Sequence, residues 1–204
     1  FIFKDPDERD DNDPKAVTGA KFTAIKNRIN AFEAKLYSNT SSVRDDYPQY
    51  LDRASAIDYY LVKEFTKDND ADFFRSNFFH INDVRANWSV FPIVDKFFMG
   101  PIWDFDRSAG NVDPDTAGHT AVNSPTGWYL RGIGTPSDSG RTRYKTHWFV
   151  QLFEDAGFRS AVKARWAEVK AEFAKIHQTD TAAFAAELGV GASNDRNRWK
   201  NEPK

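Results

Sequence analysis

The chain has 204 residues, room for one large domain or two small ones, and 40% of them are apolar, enough for a sizeable core. Its 28 basic and 30 acidic residues leave a formal charge of -2, which argues against a dedicated binder of nucleic acid or of anionic membranes. Cysteine is absent, which excludes disulfides and thiolate metal sites, and no apolar run approaches the roughly 20 residues that span a bilayer. The chain opens at Phe1, with neither Met nor a signal peptide, as expected of a processed or excised piece of a longer protein.

In chain order, Phe1-Ile2-Phe3 reads as a short strand and "KDPDERDDND" as a solvated acidic loop. Asp13-Pro14 opens a helix, because Asp caps well and Pro suits the first helical position. Phe22, Ile25, Ile29, Phe32 and Leu36 give that helix one apolar face, and the polar run "SNTSS" should end it near Ser38. A second helix carries Tyr50, Ala54, Ile57, Leu61 and Phe65 and runs out at "KDNDAD". The aromatic stretches "NFFHI" (77–81) and "KFFMGPIW" (96–103) read as strands able to pair as a hairpin, the second bent by Gly100-Pro101. Residues 107–143 are rich in Gly, Pro, Ser, Asp and Thr, the composition of a long functional or mobile loop. Helices resume near 145–155. A longer one follows with Phe158, Val162, Trp166, Val169, Phe173 and Ile176 on one face, and a last one is capped by Asp180 and ends near Gly189. Little β structure in a helical body predicts an α+β fold.

Two acidic clusters bracket the strands. "KDNDADFFRSN" holds Asp68, Asp70, Asp72 and Asn77, and Asp104-Phe105-Asp106 follows the second strand. A hairpin would bring the outer ends of its strands together, so the clusters can share one cleft. Phosphoryl transfer needs such a set: one carboxylate accepts the hydroxyl proton, while another, with an Asn amide, holds a divalent cation against the phosphates. Hard oxygen ligands suit Mg²⁺ or Mn²⁺. Asp72 and Asn77 stand five positions apart, as the catalytic-loop Asp and Asn of protein kinases do. Each signal also has an ordinary reading. Acidic loops are commonly just solvated, and an Asp after a strand is a common turn former. The ordered combination carries more weight than either part.

The stretches "FIFKDPDE", "DYYLVKEFTKDND", "NFFHIND", "GPIWDFDRSAGN", Gly127-Trp128, "WFVQLFEDAGFRSAVKARW" and "ASNDRNRW" resemble the spore coat protein H (CotH) kinase-like family of bacterial secreted and surface proteins. The resemblance covers nearly the whole chain. It implies a mostly helical, protein-kinase-like C-lobe with a small β-hairpin carrying the active-site loops. Residues 1–204 would form a single domain fragment, since no glycine-rich loop or phosphate-binding Lys of an N-lobe stands in a suitable place. It further implies ATP and Mg²⁺ or Mn²⁺ as cofactors, and γ-phosphate transfer to Ser or Thr of a surface or spore-coat-like protein. No nucleic acid partner and no membrane span are expected, and the location is the secreted or spore-surface space.

Carried over residue by residue, Asp104 takes the role of the metal-binding Asp in Asp-Phe-Gly. Asp106 stands where kinases have Gly and assists it, and Asn77 is the candidate second metal ligand. "KDND" aligns best with Asp70 as the catalytic Asp, whereas the spacing to Asn77 favours Asp72. Both remain candidates, Asp70 first, and Asn111 reads as a turn residue. The fragment need not be active alone.

The alternative is a non-catalytic binding module for carbohydrate or protein on the same fold. Trp88 and Trp128, in loops, are its platform candidates, while Trp103 and Trp166 read as core. Glycoside hydrolysis lacks a Glu at a comparable strand end. His80, His119, His147 and His177 show no zinc-ligand spacing.

Overall fold

The computed structural model describes residues 19–68, 79–81, 96–111, 126–128, 130 and 148–199, with only the backbone for 19–22 and 81. The Phe1–Phe3 strand, the Asp13-Pro14 cap and most of the 107–143 loop lie outside these residues. The chain divides into two compact units, Phe1–Val162 and Lys163–Lys204. The fold is α+β, mostly helical, with a small two-stranded antiparallel sheet among the described residues.

In the first unit, α1 (Gly19–Leu36) buries Ile25, Ile29, Phe32 and Leu36 on the face expected from their spacing. The polar run that stops it holds a short α2 (Ser41–Arg44) and a 3-10 turn (Tyr47–Gln49), too brief to leave a periodic trace in sequence. Next comes α3 (Arg53–Thr66), capped by Asp52, whose carboxylate accepts from the Ser55 N–H at 2.8 Å. The expected apolar stripe of α3 is only partly right. Ile57 and Leu61 are buried, but Ala54 and Phe65 are exposed. Ala56, Tyr59, Tyr60, Lys63 and Glu64 are buried as well. The helix is enclosed on several sides, so one stripe does not describe it.

The sheet pairs β1 (Phe79–Ile81) with β2 (Phe97–Met99), Phe79 opposite Met99 and Ile81 opposite Phe97. The second strand is thus shorter than the expected 96–103. Its other edge meets the segment before α3, where the Phe97 N–H donates to Tyr50 and the Asp52 N–H to Phe97. The Met99 N–H donates to Ser55 Oγ at 3.1 Å, fixing the strand to the start of α3. Beyond it Gly100 takes φ +119°, a conformation that favours glycine, and the chain turns away from the sheet.

Aromatic rings fill the core. Phe32 meets Trp148 edge-on at 4.7 Å and Phe97 at 5.9 Å, and Phe79 closes the cluster against both. Trp148 opens α4 (Trp148–Leu152) and its indole N–H donates to Glu33. Tyr59 and Tyr60 of α3 pack on Phe149, and Tyr60 also on Phe153. Asp155 begins α5 (Ala156–Lys175), accepting from the Gly157 N–H at 2.7 Å. Edge-to-face pairs of this kind add to the burial of the rings themselves.

The second unit takes up α5 after Val162. A π-helical turn (Ile176–Asp180) leads into α6 (Thr181–Glu187), and α7 (Gly189–Arg198) follows. Of the expected helix bounds here, one fails and one holds. Asp180 is helical (φ -70°, ψ -39°) and makes no capping bond, because the helix continues through it. The helix α6 ends at Glu187, near Gly189 as expected, and Gly189 itself opens α7. Trp166 is exposed and meets Phe173 at a tilt, ring centres 5.6 Å apart, so it is no core residue. Among the described residues of this unit none is buried.

Candidate functional site

The site is built on the last turn of α3. Lys67, just after the helix, takes the left-handed conformation (φ 51°, ψ 44°). Its N–H returns to the Glu64 carbonyl at 3.3 Å and the Asp68 N–H to the Lys63 carbonyl at 3.2 Å. These two bonds form a Schellman ending, a place where glycine is usual and a bulky side chain is strained.

The side chains of that turn account for Lys at such a position. Lys67 Nζ donates to Glu64 Oε1 at 2.8 Å and to the Gly127 carbonyl at 2.6 Å, and Glu64 Oε2 accepts from the buried Leu130 N–H at 2.8 Å. The loop at 126–130 is thereby fastened to the helix. One turn earlier, Lys63 Nζ donates to Asp68 and, at 2.7 Å, to the Trp103 carbonyl. Lys63 and Asp68 are both 0% exposed. The ammonium also lies 4.5 Å from the centre of the Phe105 ring. Two buried ion pairs thus hold two loops, and each pair meets the requirement that a buried charge be paired and hydrogen-bonded.

The Asp104–Asp106 segment follows from these contacts. Phe105, half-buried, lies under Lys63, while the aspartates on either side of it are exposed. Asp104 has φ +65°, in the left-handed region that Asp tolerates better than most residues. Downstream, the Ala109 N–H donates to the Thr66 carbonyl at 2.6 Å, Ser108 Oγ to Phe105 and Asn111 Nδ2 to the Asp106 carbonyl at 2.6 Å. Asn111 is a turn residue, as expected. His80 Nδ1 lies 3.3 Å from the Gly100 carbonyl oxygen, consistent with a hydrogen-bonded surface histidine.

Of the residues proposed from sequence, Asp104 and Asp106 share this one exposed turn. Asp70, Asp72 and Asn77 fall in 69–78, outside the described residues. Both ends of that stretch are nevertheless placed. At its start, Asp68 shares the Lys63 ammonium with Trp103, the neighbour of Asp104. At its end, Phe79 pairs with Met99 at the end of β2 that leads to Asp104. The described residues that flank 69–78 thus meet the chain on either side of Gly100-Pro101, Asp68 beside Trp103 through Lys63 and Phe79 opposite Met99. Among the described residues no group of three or more His, Asp or Glu side chains stands together. The donor set of Asp104 and Asp106, two exposed carboxylates, is of the hard-oxygen kind that fits Mg²⁺ or Mn²⁺.

Sequence reasoning missed Lys63, Glu64 and Lys67. Charged residues on a helix ordinarily read as solvated. The available signal was their phase, since Ala56, Tyr60, Lys63 and Lys67 recur at gaps of three and four along one buried face. Trp103 was misread as core. The strand stops at Met99, so Trp103 lies in the turn beyond and is 60% exposed. Trp128 is 56% exposed and stacks on Tyr60 at 6.3 Å, and Trp88 lies outside the described residues.

A family model described as CotH kinase protein matches residues 2–201. No curated protein and no solved structure matches the chain. Among the described residues no helix is long and apolar enough to cross a membrane.

Proposed function

The chain belongs to the CotH kinase family, and from that premise we propose that it is the C-lobe portion of an atypical protein kinase, moving the ATP γ-phosphate to Ser or Thr of a secreted or spore-surface protein. The observation that supports this most is that Asp68, just before 69–78, shares the Lys63 ammonium with Trp103, the neighbour of Asp104, while Phe79, just after it, pairs with Met99 in the strand that leads there.

In this reading Asp104 and Asp106, with Asn77, hold Mg²⁺ or Mn²⁺. The cation supplies charge neutralisation to the phosphate oxygens. Asp70, or Asp72 in its place, accepts the proton of the acceptor hydroxyl as the hydroxyl oxygen bonds to the γ-phosphorus and the bond from that phosphorus to the β–γ bridging oxygen breaks, ADP carrying away the electron pair. Asp104 is the first ligand of this reading; it takes the left-handed conformation between Trp103 and Phe105, both of which contact Lys63.

Calorimetric titration of Mg²⁺-ATP or Mn²⁺-ATP into the chain and into Asp104→Ala tests this. We expect metal-dependent binding by the parent chain and its loss in the variant. Equal binding by both would remove Asp104 from the metal site, and no binding by either would remove the reading for this chain.

A further inference from the structure

Lys63 has no part in the phosphoryl-transfer chemistry above, yet with its partner Asp68 it is the most enclosed charge among the described residues. An ammonium carries three N–H donors and accepts nothing. Here the ammonium meets two parts of the chain: the Asp68 carboxylate on one, and on the other the Trp103 carbonyl at 2.7 Å and the Phe105 ring face at 4.5 Å. Asp68 precedes Asp70 by two residues, and Trp103 directly precedes Asp104. Stability alone does not require an ion pair at this position. Replacing a buried pair by apolar residues of similar volume is often neutral, whereas losing one partner is severe. The ammonium adds direction. Water cannot reach it, so its donors must stay on their acceptors, and the acceptors are held to hydrogen-bond tolerance.

We propose that Lys63 is a positioning residue, a single buried post that fixes the Asp104 turn against the start of the segment bearing Asp70 and Asp72. The proposal rests on the metal reading of Asp104 where metal affinity is concerned, but its geometric content stands apart from that reading.

The test compares the parent chain with Lys63→Met/Asp68→Asn, which removes both charges and nearly keeps the volumes. Thermal unfolding reports stability. Amide hydrogen exchange at Ala109, whose N–H is bound to the Thr66 carbonyl, reports the turn. Mn²⁺ titration with ATP, followed by electron paramagnetic resonance, reports the site. The double variant should melt within a few degrees of the parent. Its Mn²⁺ affinity should fall about tenfold or more, the usual effect of losing a group that orients a ligand. Exchange at Ala109 should rise by about tenfold, as expected when local opening becomes easier. A folded double variant with parental exchange and affinity would overturn the proposal and leave Lys63 a structural residue only. A parent chain that binds no Mn²⁺ would sink the metal reading, and the exchange comparison would still decide the post.

Should the double variant not fold, Phe105→Leu removes the ring beneath the ammonium and leaves the pair intact. Faster exchange at Ala109 then supports the proposal, and unchanged exchange overturns it.

Discussion

Tyr47 shows how one buried hydroxyl ties distant parts of the chain together. Its O–H donates to Asp155 Oδ2 at 3.0 Å, linking the turn before α3 to the cap of α5. Burial raises the Tyr47 phenol well above its ordinary range; Arg53 opposes the shift and Asp155 adds to it. A group whose folded value is raised contributes stability that is complete below its unfolded value and is lost as pH climbs through the folded one. The thermal midpoint should therefore begin to fall above about pH 10. In Tyr47→Phe that fall should be shallower, at a cost of about 1 kcal/mol near neutrality from the lost hydrogen bond. Circular dichroism melts from neutral to alkaline pH check both. Tyr37, raised mainly by burial, shifts in the same direction and leaves a residual slope in the variant. An equally steep fall in Tyr47→Phe would clear Tyr47 of any part in it.

Among the elements, α3 carries the site at one end and its own anchor at the other. Asp52 caps it, and Ser55, which donates to that cap, also receives the Met99 N–H. Asp52→Ala should cost about 1 kcal/mol in chemical denaturation, the typical loss for an N-cap. A cost near zero would mean that the strand contacts alone fix the start of the helix. How much of this was legible beforehand depends on which force shaped each piece. The α1 face and the strand pair were readable because local pattern and tertiary burial agree at Ile25, Ile29, Phe32 and Leu36, and in the Phe-rich strands. The α3 face was half-readable, because charged residues occupy its buried phase and their partners lie up to 66 positions away, as Leu130 does from Glu64. Asp180 misled because its local sequence suits a cap, while the helix runs on through a π turn that no local rule foretells. Asp104 and Asp106 stood out in the sequence by their place after a strand, but the Lys63 contact with the neighbouring Trp103 was invisible in a linear pattern.

The two compact units of the chain differ in what holds them. The first is built on fully buried rings such as Phe32, Tyr60, Phe97 and Phe149. In the second, Ile176, Phe184, Leu188, Val190 and Trp199 are all exposed. Amides of α3 should therefore exchange only through large-scale unfolding, while those of α6 and α7 should exchange much earlier, through local opening. Hydrogen-exchange mass spectrometry of the whole chain measures this directly. Protection in α6 and α7 equal to that in α3 would show that something besides their own packing holds them. The family match runs through both units, so this contrast lies inside the family's stretch.

The burial of Lys63 against Asp68 has a consequence for how the gene can change. Either substitution alone strands a charge away from water, so each single step leads into a trough of poor folding. The two codons are bound into one heritable unit, and a lineage leaves the pair only by changing both. The order of those two events, and the time spent between them, then governs whether the lineage survives the crossing.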